Sequence, residues 1–202
     1  MEFEAWPKIP RLRRDITITE KIDGTNAAVL IEEMEAPWYY QEGVQHPVML
    51  ADGRCFTLQC QSRTRLVTPA DDNFGFAVWA YTHAEELVTF LGEGRHFGEW
   101  WGSGIQRRYG LDHKRFSLFN VNRWGSVPDE HWPIDLLDRV PVLYRGPFSS
   151  TQVDHELDML RLHGSSAAPG FMDPEGIVVF LNQARLMFKA TCKNDEQPKG
   201  QP

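Results

Sequence analysis

The pattern of apolar and polar positions reads as a series of strands with two helical stretches set among them. Asp15–Lys21 (DITITEK) alternates isoleucine with polar side chains, the period-two signature of a half-buried strand. Asp23-Gly24 predicts a tight turn and the apolar run 27–31 a second strand, so strand–turn–strand is the natural reading of this segment. Residues 34–54 carry several Pro and Gly residues and read as a loop with room for a short hairpin. Residues 55–61 alternate again. Between 73 and 91, Phe76, Trp79, Ala80, His83, Leu87, Phe90 and Leu91 fall near helical spacing, and Gly92 supplies a stop. Further strands are predicted over 95–101, 115–121, 140–144, 176–181 and 185–190, the last two joined by Asn182-Gln183. Residues 151–162 have a helical pattern whose apolar face is Val153, Leu157 and Leu160. The sum is an α+β chain.

Length and composition narrow this picture. With 202 residues the chain is expected to form one domain over residues 1–193, with 194–202 as a polar, disordered tail. At 42% hydrophobic and 24% charged residues it can bury a core without a disulfide or metal staple. Cys55, Cys60 and Cys192 are few, odd in number and without CxxC spacing, which argues against a disulfide framework or a structural zinc site. Nothing resembles a signal peptide or a membrane span, so an intracellular, soluble, cytoplasmic protein is expected.

The formal net charge of −7 counts against nucleic-acid binding, whose usual footprint is basic. Local clusters soften the objection: Arg11, Arg13 and Arg14; Arg63 and Arg65; Arg107 and Arg108. A solvated surface accounts for any one of them equally well.

The chemistry concentrates in Lys21-Ile22-Asp23-Gly24-Thr25-Asn26. A lysine at a strand end followed by a Gly turn lifts an amine off a rigid element and lets backbone approach a ligand closely. As a nucleophile the amine must first lose its proton, which neighbouring cations or desolvation can promote. On the hexapeptide alone, a surface lysine beside a common Asp-Gly hairpin turn is an equal alternative. Other segments add to it. Ser62-Arg63-Thr64-Arg65 follows a predicted strand, Phe97-Gly98-Glu99 and Glu175-Gly176 put carboxylates at strand ends, Phe116-Ser117-Leu118-Phe119 is an aromatic-bearing strand, and Phe188-Lys189 closes the last one.

In this order and spacing, over residues 15 to 193, the segments resemble the covalent nucleotidyltransferase superfamily of DNA ligases, RNA ligases and mRNA capping enzymes. Lys21-x-Asp23-Gly24 looks like its nucleophile motif. Thr25-Asn26 is similar to the RNA ligase branch, since the other branches more often carry arginine at the position of Asn26. The resemblance implies an ATP-grasp-like ligase adenylylation fold, with antiparallel sheets flanked by helices around a nucleotide cleft. It implies that Lys21 attacks the α-phosphorus of ATP to give a lysyl-AMP, assisted by Lys189 near the α-phosphate. By the same likeness Glu99 holds a ribose hydroxyl, Phe119 stacks on the purine and Glu175 binds or orients Mg²⁺ or Mn²⁺. Arg63 contacts phosphate or the ribose of an incoming end, and Glu20 lies where the family reads the adenine edge. Asp23, Gly24, Asn26 and Lys193 complete the expected nucleotide-binding set.

Two departures stand out. The family's last motif usually reads Lys-x-Lys, whereas here it reads Lys189-Ala190-Thr191; on an extended strand Lys193 would share the face of Lys189 and could substitute, or Met187 replaces the first lysine. Related ligases also carry a C-terminal domain that grips nucleic acid, so a partner protein supplying that grip is expected. The leading expectation is an ATP-dependent RNA ligase acting on RNA ends, with DNA or an RNA/DNA hybrid as other substrates. The alternatives are a nucleotidyltransferase acting on a non-nucleic-acid acceptor and a non-catalytic module that binds nucleotides or RNA ends.

Overall fold

In chain order the elements are β1 (Asp15–Lys21), β2 (Thr25–Met34), β3 (His46–Met49), β4 (Cys55–Ser62), β5 (Leu66–Val67), α1 (Phe76–Thr82), α2 (Ala84–Leu91), β6 (Gly94–Gly102), β7 (Lys114–Leu118), α3 (Val121–Trp124), β8 (Leu137–Arg139), β9 (Val142–Pro147), α4 (Ser150–His163), β10 (Gly176–Leu181) and β11 (Leu186–Thr191), with a 3₁₀ turn at Asp129–His131. The computed structural model describes residues 3, 5–9, 11–12, 14–35 and 39–193. The expected tail over 194–202 lies outside the described residues. Contacts divide the chain into two compact units, Met1–Lys21 with Pro141–Pro202 and Ile22–Val140.

The first unit is a four-stranded antiparallel sheet in the order β11-β10-β1-β9. Ile16 and Ile18 of β1 and Ile177 and Val179 of β10 pack against Leu157 and Leu160 of α4, with Val153 partly buried beside them. Burying each of these aliphatic side chains is worth roughly 2 kcal/mol. Because strand side chains alternate, burying Ile16 and Ile18 under α4 sends Thr17, Thr19 and Lys21 to the opposite face.

The second unit is built on a sheet of order β3-β4-β2-β6-β7-β8, with β5 also paired to β4. All its pairings are antiparallel except β7 with β8. Helices α1 and α2 pack Phe76, Ala80, Leu87 and Leu91 into one core with Val29, Ile31, Leu58 and Phe116. The start of α1 is fixed by Asp72, whose carboxylate accepts from the N–H groups of Ala77 (2.8 Å) and Val78 (3.0 Å), satisfying donors that a helix start leaves open. Gly92 (φ 67°) ends α2 as its position suggests, its N–H donating to the Val88 carbonyl.

Several expectations are corrected. The strand–turn–strand reading holds, but β1 and β2 do not pair with each other: β1 pairs with β9 and β10, and β2 with β4 and β6, because each strand's apolar face is buried in a different core. The single helical stretch over 73–91 is two helices meeting at His83. The strand expected over 115–121 stops at Leu118, since Asn120 caps the short α3 by accepting from the Arg123 N–H (3.1 Å). The strand expected over 140–144 runs instead from Val142 to Pro147. The short β8 was not anticipated; three residues are too few to show a period. No helix among the described residues is long and apolar enough to cross a membrane.

Candidate active site

Lys21 is the last residue of β1, where the sheet register sets it opposite Gly176 of β10. Glu175 directly precedes β10, and its Oε2 accepts from the Lys21 amine at 2.6 Å. The carboxylate side chain is 3% exposed and that of the lysine 24%. The amine can thus be reached by a ligand while its partner is shielded, and a pair in this setting interacts more strongly than one in water. Gly176 (φ 154°) permits the close approach of β11 to the start of β10, because a Cβ there would collide with the backbone of Ala190 and Thr191.

Lys189 lies on β11 opposite Val178, which is opposite Thr19. Residues directly opposite in an antiparallel pair share a face, so Lys189 and Lys21 share the face away from α4. Lys193 does not continue that alternation. β11 ends at Thr191, whose hydroxyl donates to the Lys193 carbonyl (2.8 Å), and the Lys193 amine donates to Asp173 (2.6 Å). The chain has turned before residue 193, which corrects the period-two expectation. Met187, the alternative first lysine position, is 70% exposed on the same face as Lys189.

Glu20, one residue before Lys21, points the other way and is buried. Its Oε1 accepts from the Ser165 hydroxyl (2.6 Å) and its Oε2 from the N–H groups of Ser166 (2.8 Å) and Ala167 (2.9 Å). Burial raises its pKa, and the hydrogen bonds from Ser165, Ala167 and Ser166 oppose that rise. Both oxygens of Glu20 are thus engaged by the loop that follows α4.

The second unit carries the remainder. Glu99 on β6 is buried; its Oε1 accepts from the Gly24 N–H (3.0 Å) and its Oε2 from Asn26 Nδ2 (2.8 Å). Asn26 sits opposite Glu99 in the β2–β6 register. Gly24 is required by contact: a Cβ there would lie 2.5 Å from the Trp100 carbonyl oxygen and 2.7 Å from Trp101 Cβ. Asp23 is held twice, its N–H donating to the Tyr109 hydroxyl (2.7 Å) and its Oδ2 accepting from Arg107 Nε (3.0 Å). Phe119 is 40% exposed but stands beyond the end of β7, so it belongs to a loop rather than to a strand. Arg63 is exposed in the turn after β4. Its neighbour Arg65 is committed to structure, binding the Asp71 carboxylate (2.8 Å) and the carbonyls of Leu66, Asp71 and Asp72.

Sequence reasoning missed Ser165, Arg107 and Tyr109. Gly102, Gly104 and Gly110 mark the 103–113 segment as a loop, but no local pattern reveals which residues it touches. Ser165 follows the Gly164 stop of α4 and gives no sign of a partner 145 residues away.

A family model described as RNA ligase matches residues 14–191. No curated protein matches the chain. Among solved structures the chain is similar to Naegleria gruberi RNA ligase. One variant of it with ATP and Mn superposes with a TM-score of 0.52 at 16% identity, over 88% of this chain and 48% of that one. Another with AMP and Mn gives 0.52 at 16% identity, over 88% and 49%. An apo variant gives 0.53 at 17% identity, over 88% and 49%. The likeness shows a shared α+β fold, and the chain spans about half the length of those structures.

Proposed function

Since the chain belongs to the RNA ligase family, we propose that it is an ATP-dependent enzyme that adenylylates its own Lys21, passes AMP to a 5′-phosphate RNA end and seals that end to a 3′-OH. The observation that carries the reading is the Lys21–Glu175 contact: a solvent-reachable amine at a strand end, held at 2.6 Å by a shielded carboxylate. In the first step the Lys21 nitrogen forms a bond to the α-phosphorus and the bond to the β-phosphate oxygen breaks, releasing pyrophosphate. The Lys21 ammonium gives up two protons, one before attack and one as the N–P bond forms, leaving an N–H in the phosphoramidate, and Glu175 Oε2 is an acceptor within reach for one of them.

Glu99, held by the Gly24 N–H and Asn26 Nδ2, would accept from a ribose hydroxyl, and half-exposed Phe119 would stack on the base. Lys189, on the face of Lys21, would neutralise charge at the α-phosphate. Exposed Arg63 would meet a phosphate of the RNA end. The hydrogen bonds on Glu20 support a role in holding the 165–167 loop beside β1. The Naegleria gruberi structures with ATP or AMP and Mn support use of a nucleotide and a divalent ion. Among the described residues no group of three or more His, Cys, Asp or Glu is arranged for a metal. Glu175, whose Oε2 is bound to the Lys21 amine, would hold a divalent ion only as that amine turns to the nucleotide, the rest of the shell being phosphate oxygens and water in the usual manner of Mg²⁺. Such an ion would offset the charge on the leaving pyrophosphate. Residues 1–193 would act as one adenylylation domain, and the net charge of −7 supports a partner protein that helps to grip RNA.

The test is incubation of nucleotide-free protein with Mg²⁺ or Mn²⁺ and ATP labelled at the α-phosphate, followed by denaturing electrophoresis. Label on the wild type and none on Lys21→Ala is expected. A folded wild type that takes no label overturns the covalent reading. Adenylylated protein offered RNA with 5′-phosphate and 3′-OH ends should then lose its label and join them.

A further inference from the structure

The loop between β6 and β7 does more than connect two strands. Gln106, Arg108 and Tyr109 adopt left-handed backbone, with φ of 43°, 60° and 50°. For side chains with a Cβ each such residue costs on the order of 1 kcal/mol or more, and the arrangement persists only where its surroundings over-determine it. Here they do. Ile105 is fully buried. Tyr109 is 2% exposed, and its ring meets Trp101 edge-on at 4.9 Å. Trp101 is fixed in turn, its Nε1 donating to the Ser117 hydroxyl (2.8 Å), which donates to Asp138. From this base the loop reaches Asp23 twice, with the Tyr109 hydroxyl accepting from the Asp23 N–H and Arg107 donating to its carboxylate. A loop needed only to join β6 to β7 could have glycine at the left-handed positions without strain. Instead the strained residues bracket or include the two that grip Asp23.

We infer that residues 105–109 form a clamp on the turn that follows Lys21, with Tyr109 and Arg107 as positioning residues that act through Asp23. The inference rests on the reading of Lys21 as the nucleophile. Holding both the backbone and the side chain of a residue two positions on from Lys21 restricts the turn to one conformation. In-line attack depends on such restriction, because small misplacements of reacting groups are costly.

Tyr109→Phe in the full chain tests it, since the ring stays packed on Trp101 while the hydroxyl that accepts from the Asp23 N–H is lost. Proton exchange at the Asp23 amide, followed by NMR, is expected to accelerate while that of Ile105 stays as in the wild type. The first-order rate of label transfer to the protein at saturating ATP is expected to fall about tenfold, the size of one lost hydrogen bond, with the half-saturating ATP concentration unchanged. Arg107→Ala should do the same, and Arg107→Lys should recover part of the rate. Unchanged exchange at Asp23 in Tyr109→Phe overturns the clamp, as does a full labelling rate. A raised half-saturating concentration at full rate also overturns it, because the residue would then be a ligand contact. If the wild type takes no label, the nucleophile reading fails, while exchange at Asp23 still decides whether the clamp exists.

Discussion

The Lys21 amine and the Glu175 carboxylate, 154 residues apart in sequence, stand 2.6 Å apart because β1 and β10 pair in a register that sets Lys21 against Gly176. Replacing Glu175 by Ala should slow labelling of the protein by ATP by roughly 10²-fold, since the amine loses the group that orients it. Thermal stability should fall by roughly 1–3 kcal/mol, because a shielded carboxylate is removed from a largely buried amine. A rate within a factor of about two of wild type, measured in single turnover, would remove Glu175 from the reaction.

Asn26 and Glu99 form a second pair, and it bears on nucleotide affinity. Asn26→Ala deprives the buried Glu99 of the Asn26 Nδ2 donor that orients its Oε2. Binding of ATP to the Lys21→Ala background, read by calorimetry, should weaken by about tenfold, as expected for losing the order of one charged hydrogen bond. Equal affinity would show that Glu99 does not contact the nucleotide through this arrangement.

Gly24→Ala should destabilise the protein by roughly 1–3 kcal/mol. The new methyl would meet a carbonyl oxygen at 2.5 Å and a Cβ at 2.7 Å, and neither can rotate away. Thermal denaturation should show a midpoint lower by several degrees. A midpoint equal to wild type would mean that β2 and β6 can separate locally at no cost.

Glu20 predicts a pH effect. Its pKa in the folded chain is raised from the ordinary 4.5, chiefly by desolvation. The native state therefore holds this proton more tightly than the unfolded chain does. The stabilisation is fully present below the ordinary value and is lost as pH rises through the folded pKa. Glu20→Gln keeps an acceptor for Ser166 and Ala167 and removes the titration. Across melts from about pH 4 to about pH 7, stability of the wild type relative to Glu20→Gln should fall as pH rises. A difference that grows with pH, or stays flat, would contradict the burial of an ionisable carboxylate here.

The strands were legible where the period was long. Asp15–Lys21 has the bounds that alternation suggests, Gly176–Leu181 matches the strand expected of its apolar run, and Gly92 and Gly164 close helices as small C-terminal residues do. Short or capped elements were not. Phe119 reads as strand by hydrophobicity, yet Asn120 spends its side chain on the Arg123 N–H and ends the strand first. Lys193 follows Lys189 at an even spacing, yet the chain has left β11 by then. Lys21, Glu99, Glu175 and Lys189 are site candidates by motif order, which says where a residue lies in the chain and nothing about what it touches.

By itself the sequence determined the α+β character, the ends of β1 and the identity of the nucleophile candidate, because these follow from local periodicity and from residue chemistry within a few positions. Only the tertiary structure decided that β1 and β2 belong to different sheets, that Glu175 faces Lys21, that Glu20 faces Ser165 and that Tyr109 and Arg107 hold Asp23. Those choices depend on which apolar faces are buried together across more than eighty residues of chain, and free energy of that kind is a property of the packed whole rather than of any segment.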